Sequence, residues 1–202
     1  MHPKDKSASN SFYETNLSAF GINDARSLGW QSADSQKLRF DIMTMIGNID
    51  NCSILDVGCG VGDFYGYFKN NGYNVDYHGI DISDKVIQGA KEKFHDGNFE
   101  TKDILKDDLK RKFDFVFAIG PFSIKLEDSM GHLKQMTAKM FDLSEKGVGF
   151  NCLSSYEDRN RRYSVFHYFE PEEVFRFCKT LTPMVTLKHD YLPFDFSVYM
   201  YK

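Results

Sequence analysis

The sequence lacks any apolar run that approaches the roughly 18 residues needed for a membrane-spanning helix. It opens on polar residues and not on an apolar secretory region. The four cysteines, Cys52, Cys59, Cys152 and Cys178, are not spaced like metal ligands. We therefore expect a reduced, cytoplasmic protein that holds no metal and has no membrane partner.

The sequence also lacks an excess of positive charge. Its 25 Lys and Arg against 29 Asp and Glu give a net charge of −4, so there is no overall basic footprint for nucleic acid. Its 202 residues, 42% of them apolar, are enough for one globular domain with a sizeable core. We expect a monomer or a homodimer whose partner is not a nucleic acid.

A glycine-rich turn follows the first long apolar run. The segment reads Ile54-Leu55-Asp56-Val57-Gly58-Cys59-Gly60-Val61-Gly62, with glycine at every second position after an acidic residue. A helix-like segment over residues 63–71 follows at once. The pattern predicts a strand that ends in a tight turn, where a ligand touches the backbone.

Two common nucleotide-binding patterns are absent from this turn. A dinucleotide fingerprint has its third glycine three residues after the second, and counted from Gly58 that position is Asp63. This disfavours an NAD(P)-dependent reductase. No Gly-Lys-Ser or Gly-Lys-Thr is present, which excludes a P-loop. The remaining pattern, acidic-x-Gly-x-Gly-x-Gly, suits a ligand without a pyrophosphate.

Three later segments also read as strands that end in functional residue types. The first, Tyr77-His78-Gly79-Ile80-Asp81, ends in a carboxylate, which at a strand tip can accept hydrogen bonds from ribose hydroxyls. The second, over residues 98–105, contains Asp103 and Ile104. The third, over residues 113–122, is an apolar strand that breaks at Gly120-Pro121.

The order of these four segments resembles the class I S-adenosylmethionine-dependent methyltransferases over residues 50–202. The resemblance implies an α/β, Rossmann-like three-layer sandwich. Its sheet would be mostly parallel, with seven strands in the order 3-2-1-4-5-7-6 and strand 7 antiparallel. It also implies an enzyme with S-adenosylmethionine as cofactor and S-adenosylhomocysteine as product, which transfers the methyl group in line.

The resemblance assigns cofactor contacts by position. In the family, the residue at Asp103 faces the adenine amino group and the next apolar residue packs on the ring. Arg39 is expected to hold the methionine carboxylate bidentately, with an exposed helix arginine as the alternative. Trp30 either packs the N-terminal region on the core or covers the cofactor. The expected cofactor residues are Trp30, Arg39, Asp56, Gly58, Cys59, Gly60, Asp81, Ile82, Asp103, Ile104, Ile119 and Gly120.

The chain divides into two predicted regions. Residues 1–46 are expected to form a helical cap over the cofactor, and residues 47–202 the methyltransferase core, within one structural domain. Apolar periodicity predicts helices over 35–46, from Ser83, through Leu133, Met136 and Met140, and after Glu170-Pro171. Strands are predicted over 147–153, 184–192 and 195–202.

The acceptor site is expected near the loop of residues 154–169, which is too long and charged for a simple connector. Arg159, Arg161 and Arg162 lie there among aromatic residues and suit an anionic carboxylate or phosphonate oxygen. The expected substrate-binding residues are Phe122, Arg159, Tyr163 and His167, and His167 is the candidate catalytic base, with a structural role as its alternative. The partner is thus a small-molecule acceptor, methylated on such an oxygen or on another oxygen or nitrogen.

Two further functions stay open. One is a tRNA- or protein-directed methyltransferase, and the other is a non-catalytic protein that binds S-adenosylmethionine. After the fourth strand the chain reads Ile119-Gly120-Pro121-Phe122, where Asn-Pro-Pro-Tyr or Asp-Pro-Pro-Tyr would favour methylation of an amino group on a nucleobase or glutamine.

Overall fold

Seven strands form a single sheet in a computed structural model that describes residues 3–202, apart from the side chains of Pro3, Lys4 and Lys6. The first two residues of the predicted cap, Met1 and His2, lie outside the described residues. The strands are β1 (Ser53–Val57), β2 (Asp76–Asp81), β3 (Phe99–Thr101), β4 (Phe113–Ala118), β5 (Ser144–Leu153), β6 (Val185–Leu192) and β7 (Asp195–Tyr201).

The strand order is β3-β2-β1-β4-β5-β7-β6. The first five strands pair in parallel, and β7 runs antiparallel to both β5 and β6. The predicted fold class, strand order and reversed last strand are therefore confirmed.

Within the described residues, six α-helices accompany the sheet: α1 (Pro3–Phe20), α2 (Ala33–Thr44), α3 (Asp63–Asn70), α4 (Asp84–Lys93), α5 (Ser129–Leu143) and α6 (Pro171–Leu181). Short 3-10 helices lie at Ala25–Leu28 and Arg159–Arg161. Local side chains determine where two of the α-helices begin. The Ser83 hydroxyl caps α4 by accepting a hydrogen bond from the Val86 amide, and Pro171 occupies the first turn of α6. Across residues 3–202, no helix is both long and apolar enough to cross a membrane.

Helices cover both faces of the sheet. Because successive strand residues point to opposite faces, Leu55 and Val116 pack with α5 and α6, whereas Ile54 and Phe117 belong to a second cluster with α2, α3 and α4. Buried side chains from these helices include Leu133, Met140, Val174, Met43, Phe64, Phe68 and Ile87. The strand tips are left as the open edge at which a ligand can reach the backbone.

The region before β1 falls into two parts. Helix α2 contributes Phe40 and Met43 to the core, whereas α1 and the 3-10 helix at Ala25–Leu28 form a smaller cluster around Leu17. Helix α1 is tied to α4, because Ser83 Oγ donates to Glu14 Oε1 at 2.7 Å. The predicted cap is thus partly core, and its boundary at residue 46 stays a prediction.

Candidate active site

A cavity lies at the carboxyl ends of β1, β2 and β4, where the strand order reverses direction. Its empty volume, including the open mouth, is about 900 Å³. The lining residues are Ser9, Asn10, Tyr13, Leu28, Trp30, Val57, Gly58, Gly60, Asp81, Ile82, Ser83, Val86, Lys102, Asp103, Ile104, Ile119, Gly120, Pro121, His132 and Met136.

The glycine turn after β1 forms one wall. Gly58 and Gly60 have φ values of +75° and +56°, which L side chains rarely adopt. The Gly58 amide donates to the Ile80 carbonyl at 2.8 Å, which holds the turn against β2. A Cβ on Gly60 would lie 2.6 Å from Leu28 Cδ1. Glycine therefore permits this backbone conformation and lets Leu28 pack directly on the turn.

Asp81 stands at the tip of β2 and joins the turn to α4. Its Oδ2 accepts from the Gly60 amide at 3.2 Å, and its Oδ1 accepts from the Ser83 amide at 3.0 Å. Burial raises the pKa of the Tyr13 phenol, and the charge of Asp81 raises it further, so this tyrosine is neutral at physiological pH. The Asp81 carboxylate is thus fixed by backbone amides at the cavity wall.

Asp103, just after β3, presents an unsatisfied acceptor. Its Oδ1 accepts from the Leu105 amide at 3.0 Å. Its Oδ2 is buried and has no hydrogen-bond partner among the described residues, and the Lys106 ammonium lies 3.7 Å from it. A buried acceptor left unpaired costs about 1–3 kcal/mol. The cavity therefore offers this oxygen to a ligand that carries an N–H or O–H donor.

Trp30 covers the end of β4. A Cβ on Gly120 would lie 3.2 Å from Trp30 Cζ2, so the indole is packed against that glycine. The indole Nε1 is buried and has no hydrogen-bond partner in the part of the chain that the structure describes. The Arg39 guanidinium lies behind the ring, 5.1 Å from its centroid.

Three of the expected cofactor residues do not line the cavity. Arg39 is buried and pairs with Asp195 at 2.9 Å, so β7 supplies the carboxylate that was expected from the ligand. Asp56 accepts a hydrogen bond from the Tyr77 hydroxyl at 2.6 Å, and burial raises its pKa to about 7 despite this bond. Cys59 is buried, which raises the pKa of its thiol. The other expected cofactor residues all line the cavity.

The expected substrate-binding residues are not brought together at the cavity. Phe122 is buried in the core, 5.6 Å from the Phe150 ring, and Tyr163 is 66% exposed. Arg159 is exposed. The His167 ring packs on Phe169 at 4.4 Å, and burial lowers its pKa. None of the four residues lines the cavity. The role of His167 as catalytic base therefore stays a prediction that the structure does not support.

The cavity also has lining residues that sequence reasoning missed. Ser9, Asn10 and Tyr13 project from α1, and His132 and Met136 from α5. Met136 belongs to the predicted apolar stripe, and it serves both the core and the cavity wall. Burial lowers the pKa of His132, so its imidazole is mostly neutral at physiological pH.

Comparison with known proteins gives one family. A family model described as a methyltransferase domain matches residues 48–179. The chain is also 30% identical over 165 residues to the Mycobacterium tuberculosis protein Rv1506c, which is named as a methyltransferase. That match covers 79% of this chain and 99% of the relative.

Solved structures share the fold at low sequence identity. The magnesium protoporphyrin IX methyltransferase ChlM from Synechocystis PCC 6803 with bound S-adenosylhomocysteine has a TM-score of 0.66 at 13% identity, over 98% of this chain and 99% of that one. The complex of DhpI with S-adenosylmethionine and HEP has a TM-score of 0.71 at 15% identity, over 98% of both chains.

The described residues contain no group of three or more His, Cys, Asp or Glu side chains that could hold a metal ion. Their cavity presents fixed acceptors and exposed backbone at the strand tips instead. The domain match and the identity to Rv1506c show that the chain belongs to the class I S-adenosylmethionine-dependent methyltransferases.

Proposed function

We propose that this cavity binds S-adenosylmethionine and that the enzyme methylates a small molecule there. The observation that carries the proposal is the buried Asp103 Oδ2, which has no hydrogen-bond partner within residues 3–202. It lines the same cavity as Asp81 and the glycine turn. An adenosine has an amino group and ribose hydroxyls, and these donors suit the two carboxylates.

Each group of lining residues then contacts a different part of the cofactor. Asp81 accepts from the ribose hydroxyls, and Asp103 accepts from the adenine amino group. The glycine turn at Gly58 and Gly60, which lines the cavity beside Asp81, lies along the methionine portion. Trp30 and Gly120 close the end of the cavity at β4, where we place the reacting methyl group.

S-adenosylmethionine brings a methyl group already activated on its sulfonium sulfur. The protein therefore contributes mainly by holding the acceptor atom in line and excluding water. Leu28 and Trp30, with Tyr13 on α1, supply an apolar cover for this purpose. A small-molecule acceptor agrees with the porphyrin named in the description of the ChlM relative.

The cavity favours an uncharged acceptor over the anionic one expected from sequence. Its described lining contains one cationic side chain, Lys102, and that ammonium pairs with Glu100 at 2.9 Å. The Arg162 guanidinium donates instead to the backbone carbonyls of Glu157 and Ser155. In a panel of acids, amines and phenols assayed for S-adenosylhomocysteine release, we expect turnover with phenols or aromatic amines, whose proton passes to the neutral His132 imidazole in the cavity lining. Turnover confined to acids, and lost in an Arg159/Arg161/Arg162 triple alanine variant, would contradict this.

The proposed contact between Asp103 and the adenine amino group is tested by changing each partner in turn. The ligand's amino donor is replaced by an oxygen, and the Asp103 carboxylate is replaced by an amide. Wild-type protein should bind S-adenosylhomocysteine roughly 10–100-fold more tightly than the analogue with a 6-oxo base, because that oxygen would face a carboxylate. In Asp103→Asn the amide supplies a donor, so the preference should shrink or reverse. Calorimetric titration of both ligands measures it.

Asp96→Asn is the matched control. It makes the same chemical change at an exposed carboxylate that pairs with Lys69 and does not line the cavity. Its base preference should equal that of the wild type. If Asp103→Asn also kept the wild-type preference, Asp103 would not contact the base and the proposed site would lose its main support.

A further inference from the structure

Asp195, the first residue of β7, is a buried carboxylate surrounded by donors. It is 1% exposed. Its Oδ2 accepts from Arg39 Nε at 3.0 Å, and Asn151 Nδ2 donates to both oxygens at 3.1 and 3.2 Å. The Tyr191 hydroxyl donates to Oδ1 at 2.6 Å. A charge is stable at such depth only when it is paired and hydrogen-bonded, so these partners are held in fixed positions.

The first branch from Asp195 reaches the cavity through Asn151 on β5. Because the Asn151 amide nitrogen donates to Asp195, its Oδ1 points the other way, where it accepts from the Gly120 amide at 2.9 Å. Gly120 lies two residues beyond β4 and lines the cavity with φ +98°. Asp195 thus selects the orientation of Asn151 that fixes the Gly120 backbone.

The second branch reaches the cavity through Arg39 on α2. Two guanidinium nitrogens contact Asp195, and Nη1 donates to the Ser35 carbonyl at 2.8 Å, so the plane of the fork is set. That guanidinium lies 5.1 Å from the centroid of the Trp30 ring, a cation–π distance. The indole nitrogen has no hydrogen bond among the described residues, so packing holds the ring in place.

The two branches meet again at the cavity wall, where Trp30 packs on Gly120. We propose that Asp195 is a positioning residue of the active site, which sets Trp30 through Arg39 and Gly120 through Asn151. The inference rests on the proposed function in placing the methyl group at this wall. Small displacements of groups that align reactants have large effects on rate, so a carboxylate outside the cavity controls its reactive end.

Tyr191 provides an internal control for a merely structural role. Its hydroxyl donates to the same carboxylate and contacts Ser197, and Tyr191 is not itself among the residues that line the cavity. Tyr191→Phe therefore removes a partner of Asp195 while both branches remain. Asp195→Asn leaves one acceptor oxygen for Arg39 and Asn151 to share and removes the charge that pairs with Arg39, and so it weakens both branches.

The first measurement needs no ligand, because Trp30 is the only tryptophan in the chain. Its fluorescence therefore reports on the packing of Trp30 against Gly120 at the cavity wall. Asp195→Asn should raise the acrylamide quenching constant of Trp30 at least twofold at a temperature well below unfolding, whereas Tyr191→Phe should match the wild type. Arg39→Lys keeps the charge but loses the planar fork, and it should behave like Asp195→Asn if the latter does not fold.

The second measurement is the affinity for S-adenosylhomocysteine by calorimetry. We expect a 5–20-fold loss in Asp195→Asn and in Arg39→Lys, and less than a twofold change in Tyr191→Phe. Equal effects in all three variants, or unchanged Trp30 quenching in both Asp195→Asn and Arg39→Lys, would overturn the positioning role. Failure of the wild type to bind S-adenosylhomocysteine would instead refute the proposed function, and the quenching comparison would still decide this inference.

Discussion

Replacing Gly60 with valine is expected to abolish measurable binding of S-adenosylhomocysteine while the protein still folds. Gly60 has φ +56°, and a Cβ there would lie 2.6 Å from Leu28 Cδ1, inside the cavity. The valine methyl groups would extend further into the space assigned to the cofactor. We expect at least a 100-fold loss of affinity, about 3 kcal/mol, in calorimetric titrations, with a native circular dichroism spectrum.

Gly72→Val is the matched control for backbone strain. Gly72 has φ +73°, and nothing lies within 4 Å of a Cβ built on it. A valine in this left-handed region costs about 1–2 kcal/mol at either site. Gly60→Val must also displace Leu28, so both variants lose stability and Gly60→Val loses more. Only Gly60→Val should lose binding. A Gly60→Val protein that binds S-adenosylhomocysteine like the Gly72→Val protein would show that the turn is not the site.

The fold could be predicted because its signals are local. The acidic residue and alternating glycines after β1 define a strand and its turn, and Ser83 caps α4 as its position predicts. The alternation of Phe196, Val198 and Met200 with smaller or more polar residues predicts β7. The strand order then follows from the family resemblance, because the motif segments occur along the chain in the order typical of that family.

The strand-tip part of the site could be predicted for the same reason. Asp81 is the last residue of β2, and Asp103 and Gly120 lie two residues beyond β3 and β4, so the backbone places all three at one edge of the sheet. Arg39 shows where this reasoning stops. Its partner Asp195 lies 156 residues away, and helix periodicity alone cannot distinguish a ligand-binding arginine from one that is paired inside the protein.

The loop of residues 154–169 supplies no residue that lines the cavity, because its backbone pairs with another segment. The Lys125 amide donates to the Val165 carbonyl and the His167 amide to the Ser123 carbonyl, both at 2.9 Å. This pairing holds the loop against the segment after β4. Helix α1 takes the lining position instead, and its Phe12 ring packs on Phe166 at 5.9 Å. The sequence of α1 has no regular apolar face, so apolar periodicity does not predict that this helix lines a cavity.

Removal of the Asp81 carboxylate is expected to weaken binding of S-adenosylhomocysteine by about 1.5–3 kcal/mol, roughly 10–150-fold, because ribose hydroxyls lose a charged acceptor. Asp81 also accepts from the Gly60 and Ser83 amides. Asp81→Ala therefore loosens the turn as well, and the loss of affinity alone does not isolate the ribose contact.

A double comparison isolates that contact. Wild-type protein should bind a 2′,3′-dideoxy analogue of S-adenosylhomocysteine far more weakly than the parent, whereas Asp81→Ala should bind the two ligands about equally, since coupled partners lose their effect once one is absent. Asp84→Ala, an exposed change in the first turn of α4, should retain the wild-type difference. If Asp81→Ala still discriminated against the dideoxy ligand to the wild-type extent, the hydroxyls would bind elsewhere. The loosened turn would then account for any loss of affinity, because loosening weakens both ligands alike and leaves their ratio unchanged.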